Sequence, residues 1–203
     1  PPGTVDTHFH IFGPLARYPY ADDRGFTPPE ARVERFAALM DRLGVERCVI
    51  VQPSVYGTDN SCQREAMAHL GPRCRGVAVI DGACGEREIQ ALHEAGFRGV
   101  RFNLLFAGGV ALDILEPVAD AIKAFGWHMQ FLINGRTLPA LAPRLARLPV
   151  PIIVDHMGHM PVAEGIDHPG FEALRRLMRA GSCWVKLSGT YRLTNAGAPY
   201  PDV

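Results

Sequence analysis

Arg47-Cys48-Val49-Ile50-Val51-Gln52 decides the fold. Its apolar centre has no polar face to turn to water. A short run of this kind, rich in β-branched residues, suits a strand in a parallel sheet covered on both sides. The same texture returns at Pro151-Ile152-Ile153-Val154. Working outward, strand and helix patterns alternate. Val5–His10 reads as a first strand. Thr27-Pro28-Pro29-Glu30 reads as a capping box with proline at the first helical position. Val33, Phe36, Ala37, Met40 and Leu43 follow at helical spacing, and Gly44 closes the helix. Further strands are predicted at Gly76–Ile80, Gly99–Asn103, Trp127–Ile133, Pro151–His156 and Cys183–Ser188. Between them lie helices at Ser61–Leu70, at Glu86–Ala95, from an Asp113-x-x-Glu116 cap to Phe125, at Thr137–Leu148, and through Phe171, Leu174, Leu177 and Met178.

Seven strands thus alternate with six helices. Repeated βα units leave an open doubly wound sheet or a (β/α)8 barrel. No G-x-G-x-x-G follows a strand, which weakens the dinucleotide-binding sheet. The expectation is an α/β TIM barrel in one domain over residues 1–203, stopping after strand seven. A barrel of this type usually takes eight strands and about 250 residues.

Composition narrows the function classes. Twenty-one basic residues balance 21 acidic ones, and 47% of the chain is hydrophobic. That excludes a disordered tail and a polybasic nucleic-acid binder, and argues against a membrane-surface protein. No apolar run approaches the ~18 residues of a transmembrane helix. The first residues show no signal-peptide pattern. Cys48, Cys62, Cys74, Cys84 and Cys183 are odd in number and form no C-x-x-C, as expected of reduced, mostly buried thiols in a cytoplasmic protein.

The chemistry-bearing residues gather at strand ends. His8 and His10, two apart on strand one, face the same side, in the barrel mouth where such folds place active sites. His156 ends strand six in the same way, and His159 follows it. Arg101 interrupts an apolar strand near its end, where a charge must be paired or face a polar ligand. The reading open to it is either carboxylate recognition or an internal salt bridge with Asp6 or Asp81. Arg136 and Arg192 follow strands five and seven. Ser54 and Tyr56 occupy the turn after strand two, where Ser54 is placed to meet a ligand or cap the turn. His128, at the start of strand five, reads as structural, and His69, His93 and His168 as surface residues. No G-x-S-x-G elbow, P-loop or H-E-x-x-H occurs.

Asp6-Thr7-His8-Phe9-His10-Ile11-Phe12-Gly13-Pro14, Val49-Ile50-Val51-Gln52-Pro53-Ser54, Gly57-Thr58-Asp59-Asn60, Gly99-Val100-Arg101-Phe102-Asn103 and Asp155-His156-Met157-Gly158 run in order through the chain. As a set they resemble the amidohydrolase superfamily, in the branch of the 2-pyrone-4,6-dicarboxylate lactonases and sugar-lactone hydrolases. The resemblance implies a barrel that hydrolyses a cyclic ester; the balanced charge gives no support for a nucleic-acid or membrane partner. It makes His8, His10 and His156 the groups that polarise the lactone carbonyl. It makes Ser54, Arg101 and Arg192 contacts to a substrate carboxylate, with Tyr56, Arg136 and His159 as further candidates. It assigns the general base for water to an Asp on an eighth strand, expected beyond Val203.

Binuclear members of the superfamily use a lysine on strand four and a histidine ending strand five. Here those places hold Arg101-Phe102-Asn103 and Phe131-Leu132-Ile133-Asn134. The resemblance therefore implies catalysis without a cofactor, the alternative being one zinc on His8, His10 and His156. The dicarboxylate lactonases also carry basic residues where this chain has Ala107-Gly108-Gly109 and His159, and tyrosines where it has Phe26 and Leu132. A lactone with one carboxylate, or a sugar lactone, fits as well. The competing expectations are a zinc-dependent decarboxylase of the same superfamily and a non-catalytic barrel.

Overall fold

The computed structural model describes residues 1–105 and 112–203; the loop read at Ala107-Gly108-Gly109 lies outside the described residues. Its centre is a sheet of seven parallel strands in the order of the sequence: β1 (Val5–Phe9), β2 (Arg47–Val51), β3 (Cys74–Ala78), β4 (Phe97–Asn103), β5 (His128–Leu132), β6 (Ile152–Val154) and β7 (Cys183–Val185). The crossovers carry α1 (Val33–Leu43), α2 (Ser61–Leu70), α3 (Glu86–Glu94), α4 (Leu115–Lys123), α5 (Leu138–Leu145) and α6 (Pro169–Arg179). The sheet curls into a half-barrel. Lys186, just past β7, reaches β1 across the opening and donates to the Thr7 carbonyl at 3.1 Å.

Side-chain alternation divides the sheet into two chemical faces. Val100, Phe102, Met129, Phe131, Ile152 and Val154 belong to the apolar core between sheet and helices. Phe102 and Phe131 are register partners with stacked rings 5.7 Å apart. Arg101 pairs with Gln130 in the same register, on the other face, and both are buried. So the strands are covered on both sides, as their apolar texture predicts, but the inner lining is polar.

Two helix starts differ from the sequence reading. α1 begins at Val33 after Arg32, with no side-chain cap, and the Thr27–Glu30 segment forms no capping box. That stretch carries no regular secondary structure and leads into a bridge between Ala31 and Phe12. The pairing, with consecutive prolines that disfavour helix in the residue before each, outweighs the local signal. α4 begins at Leu115, behind a short 3-10 turn at Leu112–Ile114, and Asp113 does not cap it. All five cysteines are free, and all but Cys84 are buried. No helix among the described residues is long and apolar enough to cross a membrane.

The Gly57–Asn60 motif is a brace. Asn60 donates to the Thr58 and Val79 carbonyls at 2.9 and 2.8 Å and accepts from the Val79 amide at 3.0 Å. Gln52 donates to the Gly57 and Asp59 carbonyls at 3.1 and 2.8 Å. These bonds tie the loop after β2 to the end of β3, beside the site. Asn60→Ala leaves the Val79 amide and carbonyl unpaired in the interior. It should lower unfolding free energy by about 3 kcal/mol, since each buried orphan costs roughly 1–3 kcal/mol. Urea denaturation checks this; a loss within about 0.5 kcal/mol, the size of a surface substitution, would show that the brace carries no weight.

Candidate active site

The sheet delivers the predicted histidines to one place. His8 lies in β1 and His10 just past it, beside an irregularity in the β1–β2 register between Asp6 and Phe9. Their rings are 5.1 Å apart, edge to face. His156 follows β6, and its ring lies 4.7 Å from that of His8. His159 continues the cluster, 5.5 Å from His156.

Backbone strain holds the last two. His156, Met157, Gly158 and His159 have φ of +51°, +52°, +69° and +50°. L-residues with side chains avoid this left-handed region, at a cost of about 1–2 kcal/mol each. Such strain persists where surrounding structure over-determines it. Here the Met157 amide donates to the Lys186 carbonyl at 3.1 Å, and the Gly158 amide to the Asp155 carbonyl at 2.9 Å. His156 Nδ1 lies 2.8 Å from Ser188 Oγ. Gly189, at φ +74°, lets the chain pass His156, because a Cβ there would stand 3.0 Å from the histidine's own Cβ.

Beneath the histidines is a carboxylate that the sequence reading did not single out. Asp155 is fully buried. Its Oδ2 accepts from Gln130 Nε2 at 2.9 Å and lies 3.6 Å from Arg101 Nε. Its Oδ1 lies 3.4 Å from both His8 Nδ1 and Lys186 Nζ. Arg101 therefore pairs with Asp155 rather than Asp6 or Asp81, and also donates to the Gln52 carbonyl at 3.2 Å. Burial alone would raise the Asp155 pKa; the Lys186 ammonium and the Arg101 guanidinium reverse it and hold the carboxyl well below the usual range. Lys186 was also missed. A cation interrupting strand seven near its end is the signal that singled out Arg101.

Burial keeps the histidines neutral. It pushes His10 down to about 3, with Arg101 and His8 adding to the shift. It pushes His156 and His159 each down to about 4. His8 is lowered for the same reason, while the Asp155 carboxylate pulls the other way. His10 Nδ1 lies 2.7 Å from the Val51 carbonyl, which can only accept. The ring's hydrogen is therefore on Nδ1, and Nε2 is a bare acceptor.

The other candidates divide. Arg192 is near enough to the cluster to depress His156 and His159, and its guanidinium lies 5.1 Å over the Tyr191 ring. Arg136 and Arg192 both line a cleft of about 650 Å³ with Tyr191 and Thr194, but Arg136 is held by Glu164. Ser54 is buried in the 3-10 turn after β2. The Tyr56 hydroxyl is engaged by the backbone, accepting from the Gly13 amide at 3.0 Å. His128 packs against Gly99 at the start of β5, as its structural reading requires. His69 is exposed as read. His93 and His168 are not simple surface residues: His93 accepts from Trp127 Nε1 at 3.0 Å, and His168 caps α6 by accepting from the Gly170 amide at 2.9 Å.

His8, Asp155 and His156 bring ligand atoms within 4.8 Å of one another, a donor set that can hold a divalent metal. As arranged, the set does not fit one. Lys186 Nζ is 3.1 Å from His8 Nδ1 and 3.4 Å from Asp155 Oδ1, so a fixed ammonium stands against two of the three donors. A metal beside that ammonium and the Arg101 guanidinium would have one carboxylate to offset all three positive centres.

Residues 5–203 match the family described as Amidohydrolase. The chain belongs to the amidohydrolase family. It is 35% identical over 206 residues to the 4-sulfomuconolactone hydrolase of Rhizobium radiobacter, covering 100% of this chain and 69% of that protein. It is 37% identical over 200 residues to the 2-pyrone-4,6-dicarboxylate hydrolase of Comamonas testosteroni, covering 97% of this chain and 66% of that one. Among solved structures, a probable 2-pyrone-4,6-dicarboxylic acid hydrolase from Acinetobacter baumannii with citric acid bound superposes with a TM-score of 0.85 at 27% identity, over 97% of this chain and 73% of that one. These matches place the fold among the family's barrels and support a hydrolase acting on a cyclic ester. They do not favour the decarboxylase or the non-catalytic barrel.

The neutral histidines set a pH dependence. Folded values of about 3 for His10 and about 4 for His128, His156 and His159 lie below that of an unfolded histidine, ~6.5. The unfolded chain takes up protons first as the pH drops. Stability should be complete above that unfolded value and fall as the pH drops from there toward the folded values. Urea midpoints at pH 7.5 and pH 5 check this: the midpoint should be lower at pH 5, and equal midpoints would contradict the buried neutral state.

Proposed function

We propose that the protein opens an anionic lactone by adding water to the ring ester carbonyl, without a metal. The observation that carries this reading is the convergence of neutral His8, His10 and His156 on one strand-end site beside the Arg101 and Arg192 cations. The two relatives named above are called hydrolases of 4-sulfomuconolactone and of 2-pyrone-4,6-dicarboxylate, both lactones with anionic substituents.

In this reading the guanidinium of Arg192 meets a substrate carboxylate, a charge-assisted contact of the stronger kind. Arg101, already committed to Asp155, supplies positive potential from below. The lactone carbonyl lies over His8 and His156, whose N–H groups take the charge that develops on oxygen when water adds. Donors fixed in place before the reaction do this without reorganising. His10 has spent its N–H on Val51, so its bare Nε2 accepts a hydrogen bond from the incoming water and orients it; the water's proton goes to the carboxylate base that the family resemblance assigns to an eighth strand, and from there to the ring oxygen as the ring C–O bond breaks. Ser54 completes the carboxylate pocket, and Arg136 and His159 lie at its edge. The substrate is a carboxylated lactone of the pyrone-dicarboxylate or muconolactone type.

The second reading is one zinc at the same place, which would require the Lys186 ammonium to withdraw from His8 and Asp155. Ultraviolet-monitored ring opening of 2-pyrone-4,6-dicarboxylate and of 4-sulfomuconolactone, with and without chelator, separates the two. Turnover that survives chelation is expected. Turnover lost on chelation and restored by zinc supports the second reading, and no turnover of either lactone sinks the substrate class. Arg192→Gln should raise KM for the better substrate by about tenfold, the scale of one lost hydrogen bond to a charged group; an unchanged KM removes Arg192 from the carboxylate pocket.

A further inference from the structure

Lys186 is mostly buried, with 11% of its side chain exposed, and its ammonium has three hydrogens to place. Among the described residues three acceptors surround it: the Thr7 carbonyl at 3.1 Å, Gln130 Oε1 at 3.0 Å and His8 Nδ1 at 3.1 Å. The Gln130 amide is oriented by its other end. Its Nε2 donates to Asp155 Oδ2, which can only accept, so Oε1 must face Lys186. The Thr7 carbonyl likewise can only accept. Asp155 Oδ1, 3.4 Å away, has no hydrogen-bond partner among the described residues and acts on the ammonium as a counter-charge. The third hydrogen therefore falls to His8 Nδ1.

We propose that Lys186 is a positioning residue that fixes His8 in the Nε2–H form, so that the two histidines of the H-x-H pair face the site with opposite polarity. With Nδ1 accepting from Lys186, the hydrogen of the neutral His8 ring lies on Nε2. That atom is buried and has no partner among the described residues, so its N–H is a donor held for a ligand. His10 is locked the other way by the Val51 carbonyl, with Nε2 bare. One ring donates to the developing oxyanion while its neighbour accepts from water. The Lys186 ammonium thus occupies the position from which a metal would bind His8 and Asp155, and it acts on the carbonyl through the imidazole. The catalytic part of this inference rests on the lactonase reading; the tautomer assignment does not.

The test is two-bond ¹⁵N–¹H correlation spectroscopy on protein labelled in its histidine rings, in the resting state near pH 7.5. In the unsubstituted protein, His8 should show a protonated Nε2 and a bare Nδ1, and His10 the reverse. In Lys186→Met, His8 should flip to the Nδ1–H form, donating to Asp155 Oδ1, while His10 stays as it was. Lys186→Arg should retain the original His8 tautomer. A His8 ring already in the Nδ1–H form before substitution overturns the proposal without any variant, so the test stands even if Lys186→Met fails to fold. A His8 tautomer unmoved in folded Lys186→Met overturns it equally. If a lactone is turned over, Lys186→Met should lower kcat on the order of 10²-fold, as expected for a lost oxyanion donor, with KM little changed. Correct tautomers with no lactone turnover would leave the proposal standing and sink the substrate assignment instead.

Discussion

The site is organised around the buried charge of Asp155. An ionised carboxylate taken out of water costs several kcal/mol unless its surroundings compensate. Here Gln130 supplies a hydrogen bond, and the Arg101 guanidinium and Lys186 ammonium supply two positive charges. Each partner comes from a different strand: Arg101 from β4, Gln130 from β5 and Lys186 from just past β7, with Asp155 itself after β6. One anion thus draws the inner lining of the half-barrel together and reaches β1 through Lys186. A cluster of this kind contributes little net stability compared with apolar residues of the same volume. Its use is orientation, which an apolar lining cannot supply.

The second constraint is local strain. Four successive residues in the left-handed region, three of them not glycine, store energy in the turn after β6. The turn survives because the Asp155 and Lys186 backbones hold it, and because Ser188 and Gly189 after β7 receive His156. What it achieves is direction: the chain leaving β6 doubles back, so that His156 and His159 lie over the buried carboxylate. The short segments after β6 and β7 thus depend on each other.

Much of this was legible in the sequence, for physical reasons. Runs such as Cys48–Val51 and Ile152–Val154 announce buried parallel strands because no polar residue breaks them. His8, His10 and His156 stand out because imidazoles at strand ends have no packing reason to be there. The thread that joins them did not stand out. Lys186 meets His8 across a sequence separation of 178 residues, and nothing local marks the pairing. Asp155 was hidden beside the more conspicuous His156, and Arg101 was offered Asp6 and Asp81 because strand register cannot be read from composition. Thr27–Glu30 failed in the opposite sense: its local signal was clear, and the bridge of Ala31 to Phe12 overrode it. Tyr56 shows the same limit, since a polar aromatic near the site turned out to brace the Gly13 backbone.

The central claim is that Asp155 remains ionised inside the protein and that its partners are arranged around that charge. Its side-chain carboxyl ¹³C shift, followed from pH 7 to pH 4.5, tests this most directly. The account predicts the carboxylate value throughout, with no protonation step in that range. A titration step within it would mean that the buried group is a neutral acid, and that Lys186 and Arg101 are held by something else.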